Sequence, residues 1–276
     1  MSTLVLSEIY IYPIKSLGGI SLTSAEVEER GLKYDRRWML IDDSGLFMTQ
    51  RKLPEMALLQ VALDEQGLVV THKTKDLPPL KVPYETASTR STLVTVWDDI
   101  CFAFMVSHEA NAWFTEALGV SCRLVYMPDN SIRMIDPNYA KHNEKVSFAD
   151  GYPYLVIGQE SLNDLNSRLE KPVPMNRFRP NFVFTGGQSH NEENWKTVRI
   201  GDVLFYGAKP CGRCHVTTID QSTAQSGPEP LQTLSTYQKK GSKVIFGMHL
   251  ISLSAGSVKI GDLITVMEAA NFADED

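Results

Sequence analysis

Short runs of β-branched and aromatic residues, each cut off by an Asp/Gly turn, dominate this chain. LLQVALDEQGLVVTHK at 58–73 sets two such runs on either side of Asp64, Glu65, Gln66 and Gly67. RRWMLIDDSGLFMTQR at 36–51 repeats the plan around Asp42, Asp43, Ser44 and Gly45, and LVTVWDDICFAFMV at 93–106 does so around Trp97, Asp98 and Asp99. This spacing leaves no room for long helices and predicts antiparallel hairpins. Two similar stretches, VRIGDVLFYG at 198–207 and VKIGDLITVM at 258–267, read as two further hairpins of one barrel. KDLPPLKVP at 75–83, with three prolines, predicts an extended edge or a loop.

Helical spacing appears in only a few places. SHEANAWFTEALG at 107–119 predicts a helix capped by Ser107 and closed by Gly119. ESLNDLNSRLEK at 160–171 predicts a second, with Leu162, Leu165 and Leu169 on one face, and EPLQTLSTYQKK at 229–240 a short third. The expected fold is mainly β, a barrel with added helices, divided near Cys122–Pro128 into units of 1–123 and 124–276.

A chain of 276 residues can build its core without disulfide or metal staples. The net charge of −6 argues against a general nucleic-acid binder. The start, MSTLVLSEIYIYPIKS, alternates like a strand and lacks the layout of a signal peptide. No run of about 18 apolar residues predicts a membrane span. Four cysteines at this length do not make a disulfide framework, so the expected compartment is a reducing cytoplasm. The acidic end, Asp274 to Asp276, reads as a frayed tail.

KPCGRCHVTTID at 209–220 is the most suggestive chemical motif. Its C-x-x-C-H matches c-type haem attachment, but a chain without an export signal weighs against haem. Zinc wants four ligands, and Cys211 and Cys214 form the only C-x-x-C. A thioredoxin-like dithiol would need a βαβ setting that is missing. CHVTTID is β-branched and reads as strand, which would put His215 and Cys214 on opposite faces. Two readings remain: an inert buried pair, or a thiolate that can hold a soft metal. Arg213, next to Cys214, favours the second because a guanidinium lowers a thiol pKa and also binds anions.

Basic residues gather at expected strand ends: Lys15 with Ser16 in YPIKS, Arg36 with Arg37 in YDRRW, and Arg177 with Arg179 in NRFRPNF. Arginine forks suit phosphate or carboxylate, although a lone arginine is more often a solvated surface charge. Asp150 in SFADGYPYLV lies in a turn before a strand. The six histidines show no ligand spacing, and there is no dinucleotide fingerprint, P-loop or serine elbow.

In this order, YPIKS, DRRW, SFADGYPYL, NRFRPNFV, IGD and KPCGRC followed by TTID resemble the MOSC-domain proteins. The resemblance runs from about Ile9 to Val266 and points to the bacterial YcbX-type group and the mitochondrial amidoxime-reducing component. It implies an N-terminal MOSC-associated β-barrel-like domain followed by a MOSC β-barrel. It implies the molybdenum cofactor, with Cys214 as metal ligand and catalytic residue and Cys211 as its neighbour. It implies that Lys15, Ser16, Arg36, Asp150, Arg179, Asn181 and Arg213 bind the cofactor. The implied activity is reduction of a small N-hydroxylated compound, N–OH to N–H with loss of water. The C-x₄-C-x₂-C set of a [2Fe–2S] domain is absent, so electrons are expected from a separate flavoprotein or ferredoxin. Alternatives are sulfur transfer, since a MOSC domain also ends the molybdenum-cofactor sulfurases, or a cofactor carrier.

Overall fold

The first strand, Leu4–Ile11, is paired mainly with strands distant in sequence. It lies antiparallel between Phe182–Thr185 and Leu263–Ala269. The sheet continues through Trp195–Ile200, Val203–Arg213 and Lys243–Ser252. Lys243–Ser252 then pairs with Tyr154–Gly158, which runs parallel to Phe182–Thr185, so seven strands close on themselves. Closure removes the open edges that would otherwise invite aggregation. This is a computed structural model, and it describes residues 3–85 and 88–270; Asp274 to Asp276 lie outside them. Strand accounts for 41% and helix for 16%, which makes the fold mainly β.

The alternation of side chains along each strand builds two cores at once. Tyr154, Val156, Phe182, Phe184 and Phe205 point into the barrel with Leu6 and Ile9. Their neighbours Leu155, Ile157 and Val183 point outward, and Leu162 and Leu165 of the helix Gln159–Ser167 cover them. This is the second helix, α2, and the first, α1, spans His108–Leu118. Burying each such side chain contributes about 1.5–3 kcal/mol, so both faces of these strands reward apolar residues.

Three smaller sheets surround the barrel. One orders Trp38–Ile41, Arg123–Tyr126, Asp99–Met105 and Ser91–Val96; a second stacks Leu59–Leu63, Gly67–His72 and Leu80–Pro83. The proline-rich stretch thus supplies an edge strand. α1 starts where expected, with Ser107 Oγ accepting from Ala110 N at 3.0 Å, and ends at Gly119 with φ 70°. The short third helix, α3, is Leu231–Tyr237.

Four local expectations are corrected. The 36–51 stretch yields one strand, Trp38–Ile41, and only isolated bridges after it. Asp42 Oδ1 collects Ser44 N and Leu46 N, and the returning arm meets its partner only briefly, through Asp42 N to Leu46 O and Met48 N to Leu40 O, while Phe47 N donates to Thr95 O of another strand. The 258–267 echo is not a hairpin. Gly256–Lys259 pairs with Ser24–Glu28, while Leu263–Ala269 joins the barrel, because Leu6 exchanges backbone bonds with Gly261 and Asp262 at the turn between them. α2 stops at Ser167, short of Leu169, because the Asn166 amide pairs with the backbone of Val173 and Pro172 intervenes. Finally, His215–Thr218 is a 3₁₀ turn and not strand. Thr217 and Thr218 hydroxyls donate to Cys214 O and His215 O, a local alternative to the sheet ladder.

Candidate active site

That 3₁₀ turn places Cys214 at the end of the long Val203–Arg213 strand, at the rim of a cavity of about 200 Å³. Loops after three other strands reach the same cavity. Lys15 N donates to Trp38 O and Arg36 N to Tyr12 O, which zips the 12–16 loop to the 34–38 loop. Asn181 is buried where β-strands meet: its Oδ1 accepts from Leu155 N (3.2 Å) and Arg36 Nη1 (3.3 Å), and its Nδ2 donates to Tyr10 O. Lys15, Ser16, Arg36, Asp150, Arg179, Asn181, Arg213 and Cys214 all line this one cavity, although 199 positions separate the first from the last.

The cavity is cationic. Lys15, Arg36, Arg51, Arg179 and Arg213 line it against the single carboxylate of Asp150. Most of these cations are already partnered. Lys15 Nζ donates to Phe148 O (2.7 Å) and Asp150 Oδ1 (2.6 Å). Burial pushes the Lys15 pKa down to about 8, with Asp150 opposing. Arg36 Nη1 donates to Asp35 Oδ2 at 2.6 Å, and burial raises the Asp35 pKa against that pairing. Arg179 is different: among the described residues no hydrogen bond or ion pair takes its guanidinium. It lies over the Tyr12 ring at 4.2 Å, beside Arg36 at 4.3 Å. Burial lowers its pKa to about 10, so it remains charged at neutral pH. Tyr12, its hydroxyl bound to Pro180 O, is a fixed aromatic floor for two arginines.

Backbone strain concentrates here as well. Ser16 (φ 67°), Arg36 (φ 51°) and Arg179 (φ 55°) adopt left-handed conformations that non-glycine residues rarely take. Such strain persists only where surrounding structure enforces it, and it clusters at sites of binding.

The two thiols have different surroundings. Cys211 is buried, with Arg213 Nη1 at 2.9 Å from its sulfur and His249 beside it. Burial pushes its pKa up, but Arg213 and His249 outweigh this and bring it to about 6. Arg213 therefore serves Cys211, not the adjacent Cys214 as the sequence suggested; its Nη2 donates to Phe178 O at 2.6 Å. Cys214 is partly accessible, and its partner is Arg51 Nη2 at 3.1 Å. Arg51 also binds Asp150 Oδ2 at 3.0 Å. Asp150 is 55% exposed toward the cavity, and although desolvation raises its pKa, Lys15 and Arg51 dominate and hold it well below the usual carboxylate range.

Arg51, Tyr12, Asp35 and His249 are additions to the residues expected from sequence. Arg51 closes the same 36–51 stretch that Arg36 opens, and that shared sign was its only signal. Gln50 and Gln221 exchange amide hydrogen bonds (2.9 and 3.1 Å), tying the loop of Arg51 to the loop of Cys214. Arg37 and Arg177 stay outside: Arg37 holds Met127 O and Asp129, and Arg177 faces Asp220.

Two families match the chain in tandem, the MOSC N-terminal beta barrel domain over residues 3–121 and the MOSC domain over residues 143–265. The chain belongs to the MOSC-domain proteins, and among them to the group of the mitochondrial amidoxime-reducing components. It is 32% identical to mitochondrial amidoxime-reducing component 1 of Mus musculus over 285 residues, 95% of this chain and 82% of that protein. The human protein of the same name is 31% identical, again over 95% of this chain and 82% of its own length. The molybdenum cofactor sulfurase of Oryza sativa is 33% identical over 269 residues, and there the chain spans only 33% of the relative's length.

Proposed function

We propose that the protein is a molybdenum-cofactor-dependent oxidoreductase that reduces small N-hydroxylated compounds, N–OH to N–H with loss of water, using electrons from a separate flavoprotein or ferredoxin. The observation that carries this reading is one cavity that joins a partly accessible thiol, Cys214, to Arg179, whose guanidinium has no hydrogen-bond or ion-pair partner among the described residues. The donor set fits the cofactor. A thiolate is a soft ligand for a metal, and four further cations around Arg179 suit a phosphate and an anionic pterin. Cys214 would hold the metal; Arg179, Arg36, Lys15 and Ser16 would hold the phosphate and pterin. Asn181 acts by fixing Arg36, since its own amide is engaged. When bound, the cofactor supplies two-electron chemistry at its metal.

The remaining residues keep the site in order. Arg51 orients the Cys214 sulfur and is itself oriented by Asp150. Cys211, Arg213 and His249 form one wall, with Arg213 Nη1 2.9 Å from the Cys211 sulfur. The working compartment consistent with free thiols is the cytoplasm. Units of 1–123 and 124–276 remain our division of the chain, with the cavity drawing residues from both.

The test is elemental analysis of protein made in a host that synthesises the cofactor. Molybdenum near one atom per chain, lost in Cys214→Ser, supports the reading; wild-type protein without molybdenum sinks it. Reduction of an N-hydroxylated amidine with a chemical electron donor then tests the reaction. A sulfur-transfer reading rests on the similarity to the sulfurase and on two thiols lining one cavity. A persulfide on Cys214 without metal, seen by mass spectrometry, would favour it. Bound cofactor without turnover would indicate a carrier.

A further inference from the structure

The cationic cavity opens into a wider groove of about 1410 Å³, and the two share Arg51, Asp150 and His249 in their walls. Ten large apolar side chains are exposed among the described residues, and four of them, Trp97, Ile100, Ile132 and Met134, line this groove. Pro228 and Leu231 face the same groove.

These four are held in the open by polar anchors beneath them. Ile132 and Met134 flank Arg133, which is buried and donates to Asp99 Oδ2 (2.8 Å), Ser147 O (2.8 Å) and Ala149 O (2.5 Å). With Arg133 pinned inward, its two neighbours are turned out. Trp97 occupies the two-residue turn between Val96 and Asp99, with φ 57°. Turns of this kind favour Asn or Gly at that position, and a bulky residue there is strained. Trp97 is nevertheless fixed on three sides: Arg51 lies 4.6 Å over its ring, Phe47 packs 5.0 Å away, and its N–H points to Asp150 Oδ1 at 3.4 Å. An exposed tryptophan, held in strain by the same Arg51 that contacts Cys214, is poorly explained by folding stability alone.

We infer that this groove binds the flat apolar body of the substrate, with Trp97 as the stacking platform that selects aromatic over small aliphatic N-hydroxylated compounds. The inference rests on the reading of the site as an N-hydroxy reductase for the polar end of the substrate. The stacking of the apolar end can be tested without turnover. Of the four tryptophans only Trp97 is exposed (43%), so emission quenching reports on it.

The full-length protein is titrated with benzamidoxime and with acetamidoxime. Saturable quenching by benzamidoxime, at least about tenfold tighter than by acetamidoxime, is expected from the stacking and burial of one ring. Trp97→Asn, which relieves the turn, should unfold at an equal or higher temperature yet lose this quenching. Ile132→Ser, at another residue lining the groove, should weaken benzamidoxime binding without removing the fluorophore. In turnover, the ratio of kcat/KM for benzamidoxime over acetamidoxime should fall about tenfold in Trp97→Asn. Absence of saturable quenching in wild type, equal affinity for both compounds, or an unchanged ratio in Trp97→Asn would overturn the inference. Selective binding with no turnover would support the groove and sink the reductase reading.

Discussion

Arg51 Nη2 lies 3.1 Å from the Cys214 sulfur, and the two residues come from opposite halves of the chain. The same nitrogen binds Asp150 Oδ2, so one guanidinium links the candidate metal ligand to the acid of the cavity. Partners that orient a ligand are commonly worth as much as the ligand's own environment.

Arg51→Ala should lower the molybdenum content and reductase activity of purified protein by about 10–100-fold. The secondary structure should be intact by circular dichroism, because Arg51 lies in a loop. Activity within twofold of wild type would remove Arg51 from the site.

Arg179→Ala should weaken binding of inorganic sulfate, a fully ionised stand-in for a phosphate, by about 10-fold or more, the worth of a charge-assisted hydrogen bond. Arg177→Ala, facing Asp220 outside the cavity, should have little effect. Calorimetric titration at low salt reads both, and equal losses would show that sulfate answers only to general charge.

Sulfate binding should also weaken as pH rises through about 8, where buried Lys15 gives up its proton. The stability effect runs the other way. The folded Lys15 pKa lies below the unfolded value, so between about pH 8 and 10.5 the unfolded chain binds more protons and Lys15 favours folding more as pH rises. Lys15→Met should flatten the sulfate profile; an unchanged profile would assign it to another group.

Cys211 has the same sign at lower pH, because its folded pKa is lowered too. Its folded pKa of about 6 lies below the ordinary thiol value, so its contribution to stability is full above pH 9 and is lost as pH falls through about 6. Urea midpoints at pH 6 and pH 8.5 should differ more in wild type than in Cys211→Ser. Equal differences would mean that Arg213 and His249 do not hold a thiolate.

Asn181→Leu should destabilise the protein by about 1–3 kcal/mol, since it leaves the buried Leu155 N–H, and the partly buried Tyr10 C=O, without this partner. It should also release Arg36. A denaturation midpoint close to wild type would show that the strands reseal around the loss.

Hairpins built on local pattern were readable where both arms pair with each other, as at 58–73 and 93–106. They were misread where a distant strand intrudes. The 258–267 turn is split by Leu6, and nothing within ten residues of Gly261 announces that. The basic clusters at strand ends were likewise legible as positions, but their partners were not. Arg36 and Arg37 are adjacent and chemically identical, yet only Arg36 faces the cavity.

The amino-acid order alone established a mainly β chain, the caps of α1 and the loops that carry cations and thiols, because turn chemistry and side-chain period act over a few residues. Barrel closure, the pairing of Arg213 with Cys211 and of Arg51 with Cys214, and the exposure of Trp97 were decided by tertiary structure. Each depends on a contact between residues far apart in sequence, for Arg213 the bond of its Nη2 to Phe178 O, and such contacts are set by which buried faces and charges satisfy one another once the sheets have assembled.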